Sequence, residues 1–469
     1  MDAGRKGTRS GKRDMDVIKP RIFKGTRDFL PSAMIPREDI IDTIRESFSR
    51  YGFSPISTPA FEYVDILTGK SGGEADKLIY PLAYRDGKTL ALHYDLTVPL
   101  ARVMAMYPGL PTPFKRYQIQ PVWRADRPQL RQGRFREFLQ CDADIVGVEG
   151  ALADAEIIAL TADILGRLGF GIGERKYLIL VNDRRFLAGV VAWAGLYPGQ
   201  WLSPVCRAMD KYDRDGMDGV QSELEGLKLE PKIIERLMRV FEDVPADLRA
   251  RAGHSRAKEL LDNWADVLDF DEEALSLGAL FDAVAGFGVP DNTWVFTPWL
   301  SRGLDYYTGP IFESVLPSEP HIGSLSGGGR YDGLIGRFGD RGIPATGTTI
   351  GIDRIFAAME QLGVVRKTSC RTQVLVANFG GDTLPFELNM VAEFRNAGLA
   401  TEIYLEPAKL AKQFKYADKQ GIPVVAVIGP EEADKGMVKL KWMDSGLEEV
   451  VSRTRAVYGL KEKLAMRGD

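Results

Sequence analysis

Cysteine and histidine are both scarce in this sequence. Among 469 residues there are three cysteines and three histidines. They stand far apart along the chain: Cys141, Cys206, Cys370, His93, His254 and His321. No Cys-x-x-Cys pair occurs, so the sequence indicates neither a metal site nor a disulfide framework. A few isolated thiols are typical of a reducing compartment, and we therefore expect a cytoplasmic protein.

Long hydrophobic runs are missing as well. No stretch approaches the roughly 18 apolar residues that a membrane-spanning helix needs. The basic start of the chain is not followed by the apolar segment of a secretory signal. We thus expect no membrane association. The formal net charge of -4 excludes a surface covered in basic charge, but it allows a local basic surface that binds nucleic acid.

The length suggests roughly two to four domains, because one hydrophobic core does not grow to this size. Residues 1–19 are interpreted as a disordered basic tail, although a transit segment or an RNA contact would fit the same charges. Residues 20–365 mix strands and helices, with a helical insertion at about 185–295. Residues 370–469 alternate strand and helix patterns, which is typical of a separate α/β domain. The predicted fold class is α+β.

One predicted strand, from Arg136 to Ile145, separates apolar from polar side chains. Alternate residues of a strand point to opposite faces, and one face of this strand is apolar. The other face carries charged, amide and aromatic side chains: Arg136, Phe138, Gln140, Asp142 and Asp144. Such a face is compatible with an ordinary solvated surface or with a binding surface, and the strand alone does not decide between them.

The residues before this strand favour a binding surface. A preceding strand ends at Trp123-Arg124-Ala125-Asp126, and a polar, arginine-rich loop then reaches Gly133. The two strands are predicted to form a hairpin that presents arginines and an aromatic ring beside a carboxylate and an amide. This combination suits a nucleotide together with a small zwitterion.

The segment from Arg124 to Gly147 resembles motif 2 of class II aminoacyl-tRNA synthetases. Pro59 resembles the motif 1 proline of the dimer interface, and the segment from Gly347 to Arg354 resembles motif 3. Two further segments are similar to the histidine-specific signatures of one family in this class. They are Arg-Gly-Leu-Asp-Tyr-Tyr within 301–309 and a glycine triplet within 327–333. By this resemblance the chain is identified as a member of the histidyl-tRNA synthetases.

The resemblance implies a class II core, in which an antiparallel sheet is flanked by helices, followed by a C-terminal anticodon-binding domain. It also implies ATP-dependent activation of L-histidine to histidyl-adenylate and transfer of histidine to the 3′ end of histidine tRNA. ATP would be used with Mg²⁺, and the enzyme would be a homodimer. The alternative is a non-catalytic histidine-binding paralogue, the regulatory subunit of ATP phosphoribosyltransferase.

The resemblance also assigns roles to single residues. Arg124 and Arg302 would be catalytic, flanking the α-phosphate. The histidine-binding residues would be Asp95, Thr97, Gln140, Asp144, Tyr306 and Tyr307. The ATP-binding residues would be Arg124, Asp126, Phe138, Arg302 and Arg354. Asp144 and Tyr307 would read the imidazole, while Asp95 and Thr97, interpreted as sharing one face of a strand, would hold the α-amino group.

Contacts with tRNA are expected at two places. The motif 2 loop would offer Arg127, Gln129 and Arg131 to the acceptor end. In the C-terminal domain a lysine stripe runs along one side of a predicted amphipathic helix: Lys409, Lys412, Lys415 and Lys419. A solvated helix would have the same pattern. The resemblance implies instead that these lysines, with Lys412, Lys415 and Lys419 as the tRNA contacts, neutralise phosphates of the anticodon stem.

Overall fold

The computed structural model describes residues 18–68, 77–84, 87–128, 133–171, 176–242, 244–245, 247–268, 271–301, 307–338, 342–365 and 370–467. The predicted tail at 1–19 therefore lies outside the described residues except for its last two positions. Within the described ranges, no helix is long and apolar enough to cross a membrane.

The strands of the described chain fall into three sheets. In chain order they are β1 (Ser54–Pro55), β2 (Phe61–Tyr63), β3 (Tyr80–Ala83), β4 (Thr89–Leu92), β5 (Phe114–Trp123), β6 (Glu137–Val146), β7 (Leu178–Asp183), β8 (Trp294–Phe296), β9 (Pro310–Val315), β10 (Ser326–Arg330), β11 (Ala345–Ile350), β12 (Val374–Val376), β13 (Thr401–Ile403), β14 (Val424–Val427), β15 (Met437–Trp442) and β16 (Glu448–Ser452). The three strand orders are β1-β5-β6-β11-β10-β9-β7-β8, β2-β4-β3 and β13-β12-β14-β15-β16.

The α-helices pack on these sheets. In chain order they are α1 (Pro31–Arg50), α2 (Val64–Thr68), α3 (Thr97–Met106), α4 (Ala151–Arg167), α5 (Arg184–Trp193), α6 (Pro198–Met209), α7 (Tyr212–Gly226), α8 (Pro231–Met238), α9 (His254–Leu268), α10 (Asp271–Gly286), α11 (Ile352–Gln361), α12 (Leu384–Asn396), α13 (Leu410–Gln420), α14 (Pro430–Lys435) and α15 (Arg453–Arg467). Helices on sheets of this mixed kind confirm the predicted α+β class.

Helix α1 has the apolar spacing of an amphipathic helix. Ile40, Ile44 and Phe48 recur at helical spacing and are each at most 3% exposed, so one face of the helix is buried. Gly52 follows the helix with φ of 77°, a left-handed conformation that glycine adopts without steric cost. After the helix the chain forms only a short strand, β1, which pairs in parallel with β5.

The predicted hairpin is β5 and β6, which pair antiparallel along their whole length. Strand β11 adds to the other side of β6, so β6 is a central strand. The apolar face of β6 is buried in the main core through Cys141, Ala143 and Ile145, which are at most 2% exposed. The apolar face of β6 therefore packs against the core, and the polar face, on the other side of the sheet, forms the site.

Helices fill the chain between β7 and β8, two strands that pair in parallel. Their apolar side chains are continuous with the core of the large sheet. Phe186 of α5, for example, makes edge contacts with Trp264 of α9 and Phe296 of β8, with ring centroids 5.7 and 5.3 Å apart. The helical pattern of the sequence at these positions corresponds to real helices.

The C-terminal residues build a five-stranded sheet with its own apolar cluster. Strands β12, β13 and β14 are parallel, and the hairpin of β15 and β16 continues the sheet antiparallel. The alternation of strands and helices is as predicted up to β14. The short helix α14 and one strand of the final hairpin were not predicted.

Candidate active site

A cavity of about 430 Å³ lies over the polar face of β6, beside the start of α11. Many residues singled out from the sequence line it: Asp95, Thr97, Arg124, Asp126, Arg127, Phe138, Gln140, Tyr307 and Arg354. The polar face of β6 is far from solvated, since Gln140, Asp142 and Asp144 are each at most 4% exposed. Buried polar groups on this scale are typical of a binding site rather than of an ordinary surface strand.

Four predicted site residues lie outside the described part of the chain. Arg302 and Tyr306 fall within 302–306, and Gln129 and Arg131 fall within 129–132. Arg127 precedes the second gap and is exposed on the cavity wall.

Arg124 follows β5 directly and is held from two sides. Its Nε donates a hydrogen bond of 3.0 Å to the carbonyl oxygen of Tyr94. Its guanidinium carbon lies 5.1 Å from the centroid of the Phe138 ring, a cation–π distance. The backbone around it continues the hairpin, since Arg124 N–H donates to the Arg136 carbonyl. These contacts fix a permanent positive charge at the cavity wall.

Arg354 supplies a second positive charge, from the first turn of α11. Its Nη1 donates to the carbonyl oxygen of Ser324 at 2.9 Å. Two glycines with positive φ leave room for its side chain, because a Cβ on Gly133 or Gly323 would come within 3.3 or 3.4 Å of it. Arginines held on rigid elements suit the binding of phosphate oxygens.

The prediction that Asp95 and Thr97 share one face of a strand is wrong. Thr97 is the first residue of α3, and Asp95 lies just before the helix, where its Oδ1 accepts a 3.2 Å hydrogen bond from the Val98 N–H. The β-branched Thr97-Val98 pair resembles a strand, but Pro99 fits the first turn of a helix and Asp95 satisfies one of its orphan donors. Both residues nevertheless line the cavity.

Some buried acceptor atoms on the cavity wall beside the start of α3 have no hydrogen-bond partner within the described residues. Among them are Oδ2 of Asp95 and Oε1 of Gln140. Gln140 is oriented by its Nε2, which donates to Thr349 Oγ1 and Asp142 Oδ1, both at 3.3 Å. Unsatisfied buried acceptors are costly, so this wall is suited to a ligand with several N–H donors, such as an ammonium group.

Burial perturbs the carboxylic acids of this wall. It raises the pKa of Asp95 to about 6, against the opposing effects of the Val98 N–H and Arg124. Burial also raises the pKa of Asp142 to about 7, although Arg116 lowers it. Perturbed acids in a cavity are a common sign of a functional site.

A smaller cavity adjoins the large one and contains the predicted imidazole readers. Asp144 and Tyr307 line it with Asp142 and Tyr331, and Thr97 and Thr349 belong to both cavities. The Tyr331 hydroxyl donates to Asp144 Oδ1, and Oδ2 of Asp144 lies 2.7 Å from Nη2 of Arg116. Asp144 is therefore held in place from both sides.

The glycine triplet of 327–333 brings strands together. Gly328 on β10 lies between β9 and β11, and a Cβ there would come within 2.1 Å of the Gly347 carbonyl oxygen. A Cβ on Gly329 would come within 2.9 Å of the Tyr307 ring. The glycine triplet thus allows the neighbouring strands and the Tyr307 ring to approach β10 closely. Larger residues at these positions would displace them into the cavity.

Sequence reasoning missed several residues of the site. Arg116, Asp142 and Tyr331 are buried around Asp144, and Glu313 lines the large cavity while 5% exposed. A signal for the first two was present. Polar residues alternate on β5 at positions 116, 118 and 120 and on β6 at 140, 142 and 144, and two facing polar rows inside a core hairpin indicate a buried network.

Comparison with protein families identifies the group to which the chain belongs. A family model described as Histidyl-tRNA synthetase matches residues 25–355. The chain belongs to the histidyl-tRNA synthetase family. A second model, described as Anticodon binding domain, matches residues 373–463.

Individual relatives agree with this membership. A histidine–tRNA ligase from Aeropyrum pernix is 41% identical over 460 residues, covering 95% of this chain and 99% of that protein. The crystal structure of histidyl-tRNA synthetase from Nostoc sp. PCC 7120 is similar with a TM-score of 0.84 at 29% identity, covering 96% of this chain and 100% of that one.

One solved structure bears on the alternative function. It is described as an ATP phosphoribosyltransferase regulatory subunit/histidyl-tRNA synthetase from Bacillus halodurans. Its TM-score is 0.65 at 22% identity, and the match covers 85% of this chain and 97% of that chain. At that identity the likeness shows a shared fold alone.

Two exposed surfaces lie outside the cavity. On α13 the lysines Lys412, Lys415 and Lys419 are exposed, while Gln413 and Ala417 on the other side are buried. Around the small sheet an apolar patch is 36–59% exposed: Phe61, Tyr63, Leu82, Tyr84, Met106 and Tyr107. An ion pair of 2.7 Å between Arg102 on α3 and Glu62 on β2 joins the helix that carries Met106 to the strand that carries Phe61 and Tyr63.

Proposed function

We propose that this chain activates L-histidine with ATP and then transfers the histidyl group to the 3′ end of histidine tRNA. Family membership over residues 25–355 supports the reaction class. The observation that carries the proposal is the placement of Arg124 and Phe138 beside buried acids Asp95 and Asp144, because one site then holds a nucleotide and an amino acid together.

In the first step an oxygen of the histidine carboxylate attacks the α-phosphorus of ATP. A bond forms between this oxygen and the α-phosphorus, which gives histidyl-adenylate. The bond between the α-phosphorus and the oxygen that bridges to the β-phosphate breaks, and pyrophosphate leaves. Arg124 would bind the α-phosphate and Phe138 would stack on adenine, while Arg354 would hold the γ-phosphate. No covalent nucleophile of the protein is needed, since alignment and stabilisation of charge on the phosphate oxygens lower the barrier. Arg302 would act from the other side of the α-phosphate.

Recognition of histidine would divide between the two cavities. Asp95, Thr97 and Gln140 would hold the α-ammonium group, which would satisfy Oδ2 of Asp95 and Oε1 of Gln140. Asp144 would accept an N–H of the imidazole, and Tyr307 would pair with the other ring nitrogen. A site that pairs both ring nitrogens rejects analogues that lack them, because its own polar groups would be left unpaired.

Magnesium would arrive with ATP. The carboxylate of Glu313 lines the cavity, and carboxylate oxygens are ligands that Mg²⁺ prefers. Mg²⁺ binds sites of this kind through one or two carboxylates together with phosphate oxygens and water, so it would neutralise phosphate charge there.

Transfer requires a hydroxyl of the terminal tRNA adenosine to attack the acyl carbon, with AMP as the leaving group. Arg127, at the edge of the cavity, would meet the acceptor end together with Gln129 and Arg131. Lys412, Lys415 and Lys419 would bind phosphates of the anticodon stem, and single-stranded bases would be read by stacking and edge contacts.

We further propose that the enzyme is a homodimer in the cytoplasm. The exposed apolar side chains on and near β2-β4-β3 support dimerisation, since exposed apolar surface marks interaction sites. The predicted motif 1 residue Pro59 precedes β2 and is exposed. The three free cysteines fit a reducing compartment.

Histidine-dependent exchange of pyrophosphate into ATP, followed by charging of histidine tRNA, tests the proposal. The ligase requires both activities. A protein that binds histidine without exchange would instead be the regulatory paralogue of ATP phosphoribosyltransferase.

A further inference from the structure

Arg116 is an arginine inside the central sheet. It lies on β5, its side chain has no exposed surface, and it stands directly opposite Asp144 of β6 in the antiparallel register. Its Nη2 lies 2.7 Å from Asp144 Oδ2. Burying a guanidinium is costly unless its charge is paired, so this ion pair needs a reason beyond stability.

A chain of buried polar groups holds Arg116 in place. Its Nη1 donates to Gln118 Oε1 and its Nη2 to the Leu96 carbonyl, both at 3.3 Å. Gln118 in turn donates from Nε2 to Thr58 Oγ1 at 2.8 Å. Thr58 and Gln118 are at most 5% exposed. The guanidinium is therefore oriented by a network that the substrate does not touch.

The charges around Asp144 are unbalanced without Arg116. Asp142, beside it on β6, and Asp95, before α3, are both buried carboxylic acids. Tyr331 donates to Asp144, and Tyr307 lines the same cavity. Burial raises the pKa of Asp144, whereas Arg116 and the Tyr331 hydroxyl lower it. Without the guanidinium, the acid would take up a proton more readily and would then offer an O–H donor where an acceptor is needed.

We propose that Arg116 is a positioning residue for histidine specificity, which keeps Asp144 ionised and oriented to accept an N–H of the imidazole. The proposal rests on the proposed function, in which Asp144 reads the ring. Arg116 itself lines neither cavity, so it acts through Asp144 and does not touch the substrate.

The test is Arg116→Met, with pyrophosphate exchange measured as a function of histidine, ATP and pH. The matched control is Lys115→Met, because Lys115 is the next residue on β5 and pairs with Glu156 at 2.6 Å, away from the cavities. Arg116→Met should raise the histidine KM roughly 10- to 100-fold near neutral pH, while the ATP KM changes by less than about 3-fold. The control should behave as the wild type.

The pH dependence separates this role from a structural one. The ratio of histidine KM between Arg116→Met and wild type should shrink as pH rises, because burial raises the pKa of Asp144 further once Arg116 no longer lowers it, and the acid loses its proton only at higher pH. Taking the ratio cancels the titration of the substrate imidazole. Arg116→Lys, which keeps a charge, should recover part of the affinity.

Two outcomes would overturn the role of Arg116. One is an equal rise of the histidine KM and the ATP KM in Arg116→Met that does not change between about pH 6 and 9. The other is a histidine KM of Arg116→Lys that is raised as much as that of Arg116→Met. If Arg116→Met does not fold, Gln118→Leu keeps both charges but frees the guanidinium, and it should raise the histidine KM roughly 3- to 10-fold without altering the ATP KM. An unchanged histidine KM there would also contradict the role.

Failure of the proposed function would be distinguishable. In that case the wild type itself would show no histidine-dependent exchange. Exchange by the wild type with a normal histidine KM in Arg116→Met would reject only the inference about Arg116.

Discussion

Gly347 on β11 lies directly opposite Asp144 on β6, and a Cβ on Gly347 would come within 2.0 Å of Asp144 Oδ1. The absence of a side chain at one strand therefore creates the space in which the carboxylate of the next strand sits. Tyr331 and Arg116 fill the remaining sides of that space. Gly347 of the motif 3 segment thus lines the smaller cavity beside Asp144, together with Thr348 and Thr349.

Gly347→Ala should disrupt this arrangement. The added methyl group cannot coexist with the carboxylate, so Asp144 must move by about an ångström, and we expect kcat/KM for histidine in pyrophosphate exchange to fall roughly 100-fold. Gly166→Ala on α4 is a matched control, because nothing lies within 4 Å of a Cβ there. Full activity of Gly347→Ala would show that Asp144 does not need its present position.

Asp142 should make folding stability depend on pH. Burial raises its pKa to about 7, above its value in the unfolded chain. The native state therefore holds a proton that the unfolded chain releases, and this contribution is present at low pH and lost as pH rises through about 7. Asp142→Asn removes the ionisation. The difference in free energy of unfolding between this variant and wild type should therefore grow in favour of the variant by roughly 1–3 kcal/mol as pH rises from about 4 to 8.

Chemical denaturation across that pH range measures the gain. The exposed aspartate Asp418, on α13, provides the control substitution Asp418→Asn. A difference between Asp142→Asn and wild type that does not grow with pH would contradict the buried, proton-binding state of this acid.

Asp95 should set an acid limb for histidine binding. Its pKa is raised by burial to about 6, so below that pH the carboxyl is protonated and cannot pair with an ammonium group. We expect kcat/KM for histidine to fall as pH drops through this pKa. The imidazole of the substrate titrates nearby, so the profile of Asp95→Asn, which keeps only that second effect, is the reference. Identical profiles of the two proteins would count against Asp95.

The arginines that we propose as phosphate ligands, Arg124 and Arg302, should act on the adenylation rate. Arg302→Ala should lower pyrophosphate exchange by roughly 10²–10³, by analogy with the loss of an oxyanion donor. Arg124→Lys should also lower the rate of pyrophosphate exchange, because a lysine cannot make both the hydrogen bond to the Tyr94 carbonyl and a phosphate contact. Near-normal exchange in either variant would remove that residue from its role.

The lysines of α13 should affect tRNA and leave adenylation intact. Replacing Lys412, Lys415 and Lys419 by Gln should weaken tRNA binding. The dependence of log K on log salt should also fall by about one for each phosphate that is no longer neutralised. The control is Lys461→Gln, an exposed lysine on α15 of the same sheet domain. Unchanged charging in the triple variant would indicate an ordinary solvated helix.

The sequence predicts the hairpin well because a central strand must alternate. Apolar Cys141, Ala143 and Ile145 mark the core face without ambiguity, so the opposite face is determined too. Alternation then places Phe138 on that face, the preceding strand adds Arg124, and both residues line the cavity. Local patterns carry this information because each strand position has only two directions.

The sequence predicts less where contacts are distant or backbone choice is finely balanced. Asp95 precedes helix α3 and Thr97 begins it, but the β-branched residues at the start of this helix resemble a strand. The pairing of Arg116 with Asp144 joins two strands, and no periodicity of one strand reveals the charge of the other. The close approach of Gly347 to Asp144 likewise depends on the packing of β11 against β6.

The amino-acid dependence of pyrophosphate exchange tests the central claim most directly. We predict exchange with histidine and none with the other standard amino acids. Histidine methylated at either ring nitrogen should also fail, since in the proposed function Asp144 and Tyr307 would each pair with one of these nitrogens. Exchange supported equally by both methylated forms, or by a different amino acid, would contradict an imidazole site beside Asp144.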